Sequence, residues 1–216
     1  MTLIVAATNG KSIVVGADSF VYEGDGTIYR AMTVGPKIRK YGQWVIGISG
    51  RGSAANVLDY LEAEGKSTKP DIHIAVMELV SHMGEVYTER RIEMGSSVLL
   101  AGFHNDQPYL ATWTVNNPSD IRSNPHWQAI GCGLNIALHF VARANAVELS
   151  EEQLQTLVYF SIAEVAAYDQ RVGKPIDLAV ITEDSARILD REEVRAARDA
   201  RTGAIAHDFY GHFGRL

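Results

Sequence analysis

Two apolar runs, Leu3 to Ala7 and Ser12 to Ala17, are separated by a turn at Asn9-Gly10. An Asn-Gly pair between apolar runs is a strong short-range signal of a tight β-hairpin, because the turn that suits twisted strands needs positive φ at both central residues. A chain that opens this way begins inside a sheet. After a Gly-rich loop around Glu23 to Gly26 come two short strand candidates, Thr27 to Val34 and Lys37 to Tyr41. The apolar strand Trp44 to Ile48 follows and leaves through Gly47-Ile48-Ser49-Gly50.

From Ser53 the apolar spacing becomes helical. Val57, Leu58 and Leu61 share one face and Gly65 supplies a stop; then Asp71 caps a second helix with Ile72, Ala75, Val76, Leu79, Val80 and Met83 in its stripe. Strands return at Ser97 to Ala101, Tyr109 to Val115 and His126 to Ile130, with Gln107-Pro108 between the first two. Two more helices are expected, one over Asn135 to Asn145 and one from Ser150, where Ser150 and Gln153 make a capping box, to about Asp169. The strand Ile176 to Thr182, a short strand Arg187 to Leu189 and a charged helix Arg191 to Arg201 complete the order. Strand blocks interrupted by helix pairs fit an α+β fold of two stacked antiparallel sheets with helices outside, an αββα sandwich, better than a doubly wound parallel sheet.

The chain has 216 residues, 46% of them hydrophobic, enough for one sizeable core, and it is read as a single domain over 1–216. A net charge of −6 with scattered Lys and Arg leaves no electrostatic footprint for nucleic acid or an anionic membrane. Cys132 is the only cysteine, which removes an intrachain disulfide and the CxxC metal and redox readings, and a reducing cytoplasm fits. The first dozen residues carry no leader pattern and no later run reaches membrane-spanning length. The seven histidines show no ligand spacing and the glycines form no phosphate-binding pattern, so neither a metal nor a cofactor is expected.

The chemistry begins at Thr2. Removing Met1 would leave a hydroxyl and the chain's own α-amine on one residue, and an α-amine of pKa about 7.7 to 8 can take the hydroxyl proton directly or through one water. Met-Thr is also an ordinary start. The stretches Thr2-Leu3-Ile4-Val5-Ala6, Gly16-Ala17-Asp18, Gly35-Pro36-Lys37-Ile38 and Gly47-Ile48-Ser49-Gly50 follow in order, with Asp18 sixteen residues after Thr2. Later come Gly131-Cys132-Gly133, Asp169-Gln170-Arg171-Val172-Gly173 and Ile176-Asp177-Leu178-Ala179-Val180-Ile181-Thr182.

In this order and spacing the chain resembles the β-type subunits of the proteasome and HslV group of N-terminal nucleophile hydrolases, from Thr2 to about Arg201. The short segment before Thr2 is similar to that of HslV-type peptidases and the related bacterial Anbu proteins. The resemblance implies a threonine-type peptidase with Thr2 as nucleophile, Lys37 as electrostatic activator, Asp18 as its orienter and the Gly47 N–H as oxyanion donor. It implies Val45 and Ser49 at the substrate pocket and backbone hydrogen bonds from Tyr22 to an added substrate strand. Cys132 and Asp169 would stand where a serine and an aspartate support the α-amine, while Val172 replaces a second expected serine; a thiol is a weak donor and valine is none.

Family members act on peptides or unfolded proteins inside homo-oligomeric rings or spirals, which leaves room for a separate ATP-driven unfoldase. Two other readings stay open: a weakly active or silent assembly subunit on the same fold, and an N-terminal nucleophile hydrolase of a non-peptide amide.

Overall fold

β1 (Leu3–Thr8) and β2 (Ile13–Asp18) form an antiparallel hairpin, with Ile4 opposite Ala17 and Thr8 opposite Ile13, but through the four residues Asn9 to Ser12 rather than a two-residue Asn-Gly turn, with positive φ at Gly10 (89°) and not at Asn9. The structure, a computed structural model, describes residues 2–24, 29–50, Ser81, Gly84, 96–114 and 117–200. The helix pair expected between residues 53 and 83 falls, Ser81 apart, outside the described residues, as does the end of the last expected helix at Arg201.

β3 (Phe20–Gly24) and β4 (Tyr29–Val34) pair only with each other. β5 (Ile38–Tyr41), β6 (Trp44–Ser49), β7 (Ser97–His104), β8 (Gln107–Thr114) and β9 (Asn117–Ser123) make one five-stranded sheet in sequence order. The other joins β10 (Trp127–Gly131), β1, β2, β11 (Ile176–Ile181) and β12 (Ala186–Ile188) in that order, all antiparallel. Among the described residues, the helices given in full are α1 (Leu134–Arg143), α2 (Glu151–Tyr168) and α3 (Arg191–Asp199); Ser150 and Gln153 form the expected capping box on α2.

The period of two along β1 explains the layering. Leu3, Val5 and Ala7 pack with Ala137 and Val141 of α1 and Leu154, Val158 and Ile162 of α2. Ile4 and Ala6 turn the other way and meet Val45, Leu99, Ala101 and Leu110 of the second sheet. A strand buried on both faces needs apolar residues at every position, which is what β1 supplies. Trp44, Ile46 and Ile48, on the far face of β6, are buried as well, so that face is also covered. The α+β sandwich read from the order of elements is therefore the fold.

Two local expectations need correction. The turn between β7 and β8 is at Asn105-Asp106, both at positive φ, rather than at Gln107-Pro108. A two-residue hairpin needs that geometry, which Asn and Asp adopt more readily than most residues. Pro108 lies inside β8, but before the stretch from Ala111 that pairs with β9, so its missing N–H interrupts no second ladder. β3 and β9 go beyond the strands expected from the sequence: the first runs into the Gly-rich stretch at Glu23, and the second, Asn-Pro-Ser-Asp-Ile-Arg-Ser, has the polar composition of an edge strand.

Candidate active site

Thr2 stands just before β1 and is 4% exposed. Its carbonyl oxygen accepts from the Cys132 N–H at 2.8 Å and from Ser49 Oγ at 3.3 Å. Gly131, opposite Leu3 at the end of β10, allows this approach: a Cβ there would fall 1.8 Å from the Thr2 oxygen, and the residue sits at φ +100°. Only glycine tolerates that combination of contact and backbone.

Asp18 ends β2 and is fully buried. Its Oδ1 accepts from the Leu3 N–H at 2.7 Å, and its Oδ2 from Lys37 Nζ at 3.0 Å and the Gly173 N–H at 3.3 Å. Lys37 is 7% exposed, just ahead of β5. The two charges thus form a buried ion pair against the start of β1. Burial pushes the Asp18 carboxyl above 3.8, opposed by the Lys37 charge and its three donors. Burial likewise pushes the Lys37 ammonium below 10.5, opposed first by Asp18 and more weakly by Cys132 and Asp177. Such a pair persists as ions only because each partner and the backbone donors replace the lost water.

Other expected site residues are placed differently. Val45, Gly47 and Ser49 share one face of β6, as alternation requires, but only Ser49 reaches Thr2. Val45 is a core residue between the sheets, not a pocket wall. Gly47 lies inside β6, opposite Ile38 and Leu99. The neighbouring Ile48 N–H donates to the Lys37 carbonyl in β5's direction at 3.3 Å, so the alternation of the ladder turns the Gly47 backbone toward β7. A Cβ at Gly47 would come 2.7 Å from Ile4 Cδ1, so the glycine leaves room for that side chain between the sheets.

Asp169 follows α2, and Arg171 takes both of its oxygens, at 2.8 Å from Nε to Oδ1 and 2.7 Å from NH2 to Oδ2. That fork holds its carboxyl below 3.8. Val172 is packed under the first sheet with Leu154 and Ile176. The segment reaches the site through the Gly173 N–H instead. Tyr22 lies on β3 opposite Ala31, beside a register irregularity between Val21 and Tyr22.

Sequence reasoning missed the direct roles of Gly131 and Gly173. Both act through backbone, so residue type alone carries no signal beyond the glycine itself. Among the described residues, no group of three His, Cys, Asp or Glu is arranged to hold a metal ion, and no helix is long and apolar enough to cross a membrane.

No protein-family model matches the chain, and no curated protein matches its sequence. Among solved structures it is similar to Anbu (ancestral beta-subunit) from Yersinia bercovieri, at a TM-score of 0.72 and 12% identity over 99% of this chain and 97% of that chain. At that identity the likeness is one of fold, and it runs the length of both chains. The chain shares the α+β sandwich fold of that structure.

Proposed function

We propose that this protein is a threonine-type amide hydrolase acting on peptides, with Thr2 as nucleophile once Met1 is removed. The observation that carries the reading is the buried Asp18–Lys37 pair, joined by the Leu3 N–H to the peptide unit that follows Thr2. In this reading the α-amine takes the Thr2 hydroxyl proton as oxygen attacks the substrate carbonyl carbon. The tetrahedral intermediate then collapses, the C–N bond breaks, and the amine product leaves with that proton. Water, deprotonated by the same α-amine, resolves the acyl ester and restores the hydroxyl.

Lys37 stabilises the developing alkoxide, and Asp18 keeps Lys37 charged and aimed. The oxyanion donor belongs beyond Ser49, where β6 ends near Thr2. The structural neighbour is named as a β-subunit, which favours homo-oligomers closed around the site; unfolded chains would be the substrates, delivered by an ATP-driven unfoldase where one is present.

Hydrolysis of a peptidyl anilide across pH tests this. The rate rises as the α-amine loses its proton, near its usual pKa of about 7.7 to 8. It falls again as Lys37 loses its own, and since burial lowers that pKa the alkaline limb lies below 10.5. Asp18 raises the Lys37 pKa, so Asp18→Asn moves the alkaline limb to lower pH. Thr2→Ala abolishes turnover at every pH, and a rate it leaves unchanged would exclude Thr2 as the nucleophile.

A second reading, an assembly subunit with little activity, is favoured by one specific pair of observations. Asp169 is paired with Arg171, and Val172, where a hydroxyl was expected, is packed in the core.

A further inference from the structure

The chain departs from the resemblance at Cys132 and Val172, two of the three positions expected to hold the Thr2 amine, yet Thr2 is held by other atoms. The Thr2–Leu3 peptide unit is bonded at both ends. Its carbonyl accepts from the Cys132 N–H at 2.8 Å and Ser49 Oγ at 3.3 Å, and its N–H donates to Asp18 at 2.7 Å. Ser49 Oγ also stands 2.7 Å from where a Gly131 Cβ would be, so Ser49, Gly131 and the Thr2 oxygen share one tight contact. Ser49 is 8% exposed, and its contact with the carbonyl, long for a hydroxyl donor, has little water to compete with it.

Fixing a peptide plane on both its edges fixes the Cα of the residue before it and the axis of its Cα–C bond, so that only rotation about that axis is left to swing the Cα–Cβ bond. In an N-terminal nucleophile that bond carries the attacking oxygen. Orientation of a nucleophile is worth large factors in rate, and a displacement of about 1 Å costs on the order of 100-fold.

We propose that Ser49 is a positioning residue for Thr2, holding the nucleophile by its carbonyl in a chain that has lost the hydroxyl supports of its amine. This rests on the reading of Thr2 as nucleophile. It assigns Ser49 a different role from the substrate pocket, and the two roles separate kinetically. A pocket residue changes KM; a residue that orients the nucleophile changes kcat with KM retained.

The test is peptidyl anilide turnover by full-length wild type, Ser49→Ala and Ser49→Thr, with amide exchange at Leu3 followed by NMR in the same proteins. Ser49→Ala is expected to lower kcat about fivefold to tenfold, the rate equivalent of one hydrogen bond, at unchanged KM. Its Leu3 amide should exchange several times faster, and Ser49→Thr, which keeps the hydroxyl, should recover both values. An unchanged kcat and unchanged Leu3 exchange in Ser49→Ala would overturn the proposal while Thr2→Ala still abolishes turnover. A change confined to KM would return Ser49 to the pocket. Were wild type and Thr2→Ala equally active, the nucleophile reading and this role in catalysis would fall together, and Leu3 exchange would still report whether Ser49 holds the peptide.

Discussion

Lys37→Met is expected to lower the unfolding free energy by about 3–5 kcal/mol near neutral pH, the usual cost of removing one side of a buried ion pair. Methionine keeps most of the lysine stem, so the loss reports the charge more than the packing. Asp18 would remain fully buried with only the Leu3 and Gly173 N–H groups as donors. The deficit should depend on pH with a defined sign. Burial already raises the Asp18 carboxyl, and the Lys37 charge is the main influence opposing that rise. Without it the folded-state pKa climbs further above 3.8, so stability is lost as pH rises from the unfolded value through the folded one. Urea unfolding at pH 8 should therefore show a larger deficit than at pH 5. Turnover should fall by at least about 100-fold, since a preorganised charge at the reacting oxygen is removed. A variant as stable as wild type at both pH values would mean that the pair is not held as ions.

Gly131→Ala is expected to harm activity far more than its one carbon suggests. The new Cβ would lie 1.8 Å from the Thr2 carbonyl oxygen and 2.7 Å from Ser49 Oγ, at a φ of +100°. The backbone strain alone costs about 1–3 kcal/mol. The contact cannot be relieved by a flexible side chain, because the nearest atom is backbone, so Thr2 itself must shift. A shift of about 1 Å in the nucleophile costs on the order of 100-fold in rate. Gly10→Ala is the control: its φ is +89°, but nothing lies within 4 Å of the added Cβ. It should show a loss of stability from strain with no loss of turnover per folded molecule. Thermal unfolding and kcat of the two variants, measured side by side, separate strain from displacement. Equal activity in both would show that the Thr2 carbonyl does not set the nucleophile's position.

Local signals were legible wherever one element explains itself. The hairpin was legible at Asn9-Gly10, but its connection runs over four residues, so the register that puts Asp18 at the end of β2, beside Leu3, was not. The cap of α2 followed from Ser150 and Gln153 alone. The Asp18–Lys37 pair was readable through the resemblance, and the structure brings the two within 3.0 Å. What escaped was depth along a face. Alternation groups Val45, Gly47 and Ser49, but only the position of β1 across the sheets shows that the first is core, the second faces Ile4, and the third meets Thr2. The local partner of Asp169 was not foreseen either: Arg171, two residues on, offers it a fork-shaped donor. Apart from the Ser49 hydroxyl, the supports of Thr2 are backbone groups of Cys132, Leu3 and Gly173 acting directly or through Asp18, and backbone geometry is not written in residue types.

The central claim is that Thr2 becomes an N-terminal nucleophile. Intact mass of the natively expressed protein, before and after incubation with a peptidyl epoxyketone, tests it most directly, because that group reacts with both the hydroxyl and the free amine of an N-terminal threonine. The account predicts a mass lacking methionine that gains one inhibitor, with no gain in Thr2→Ala. A retained Met1, or a free Thr2 that never reacts in the assembled protein, would contradict it and leave the assembly role as the better account.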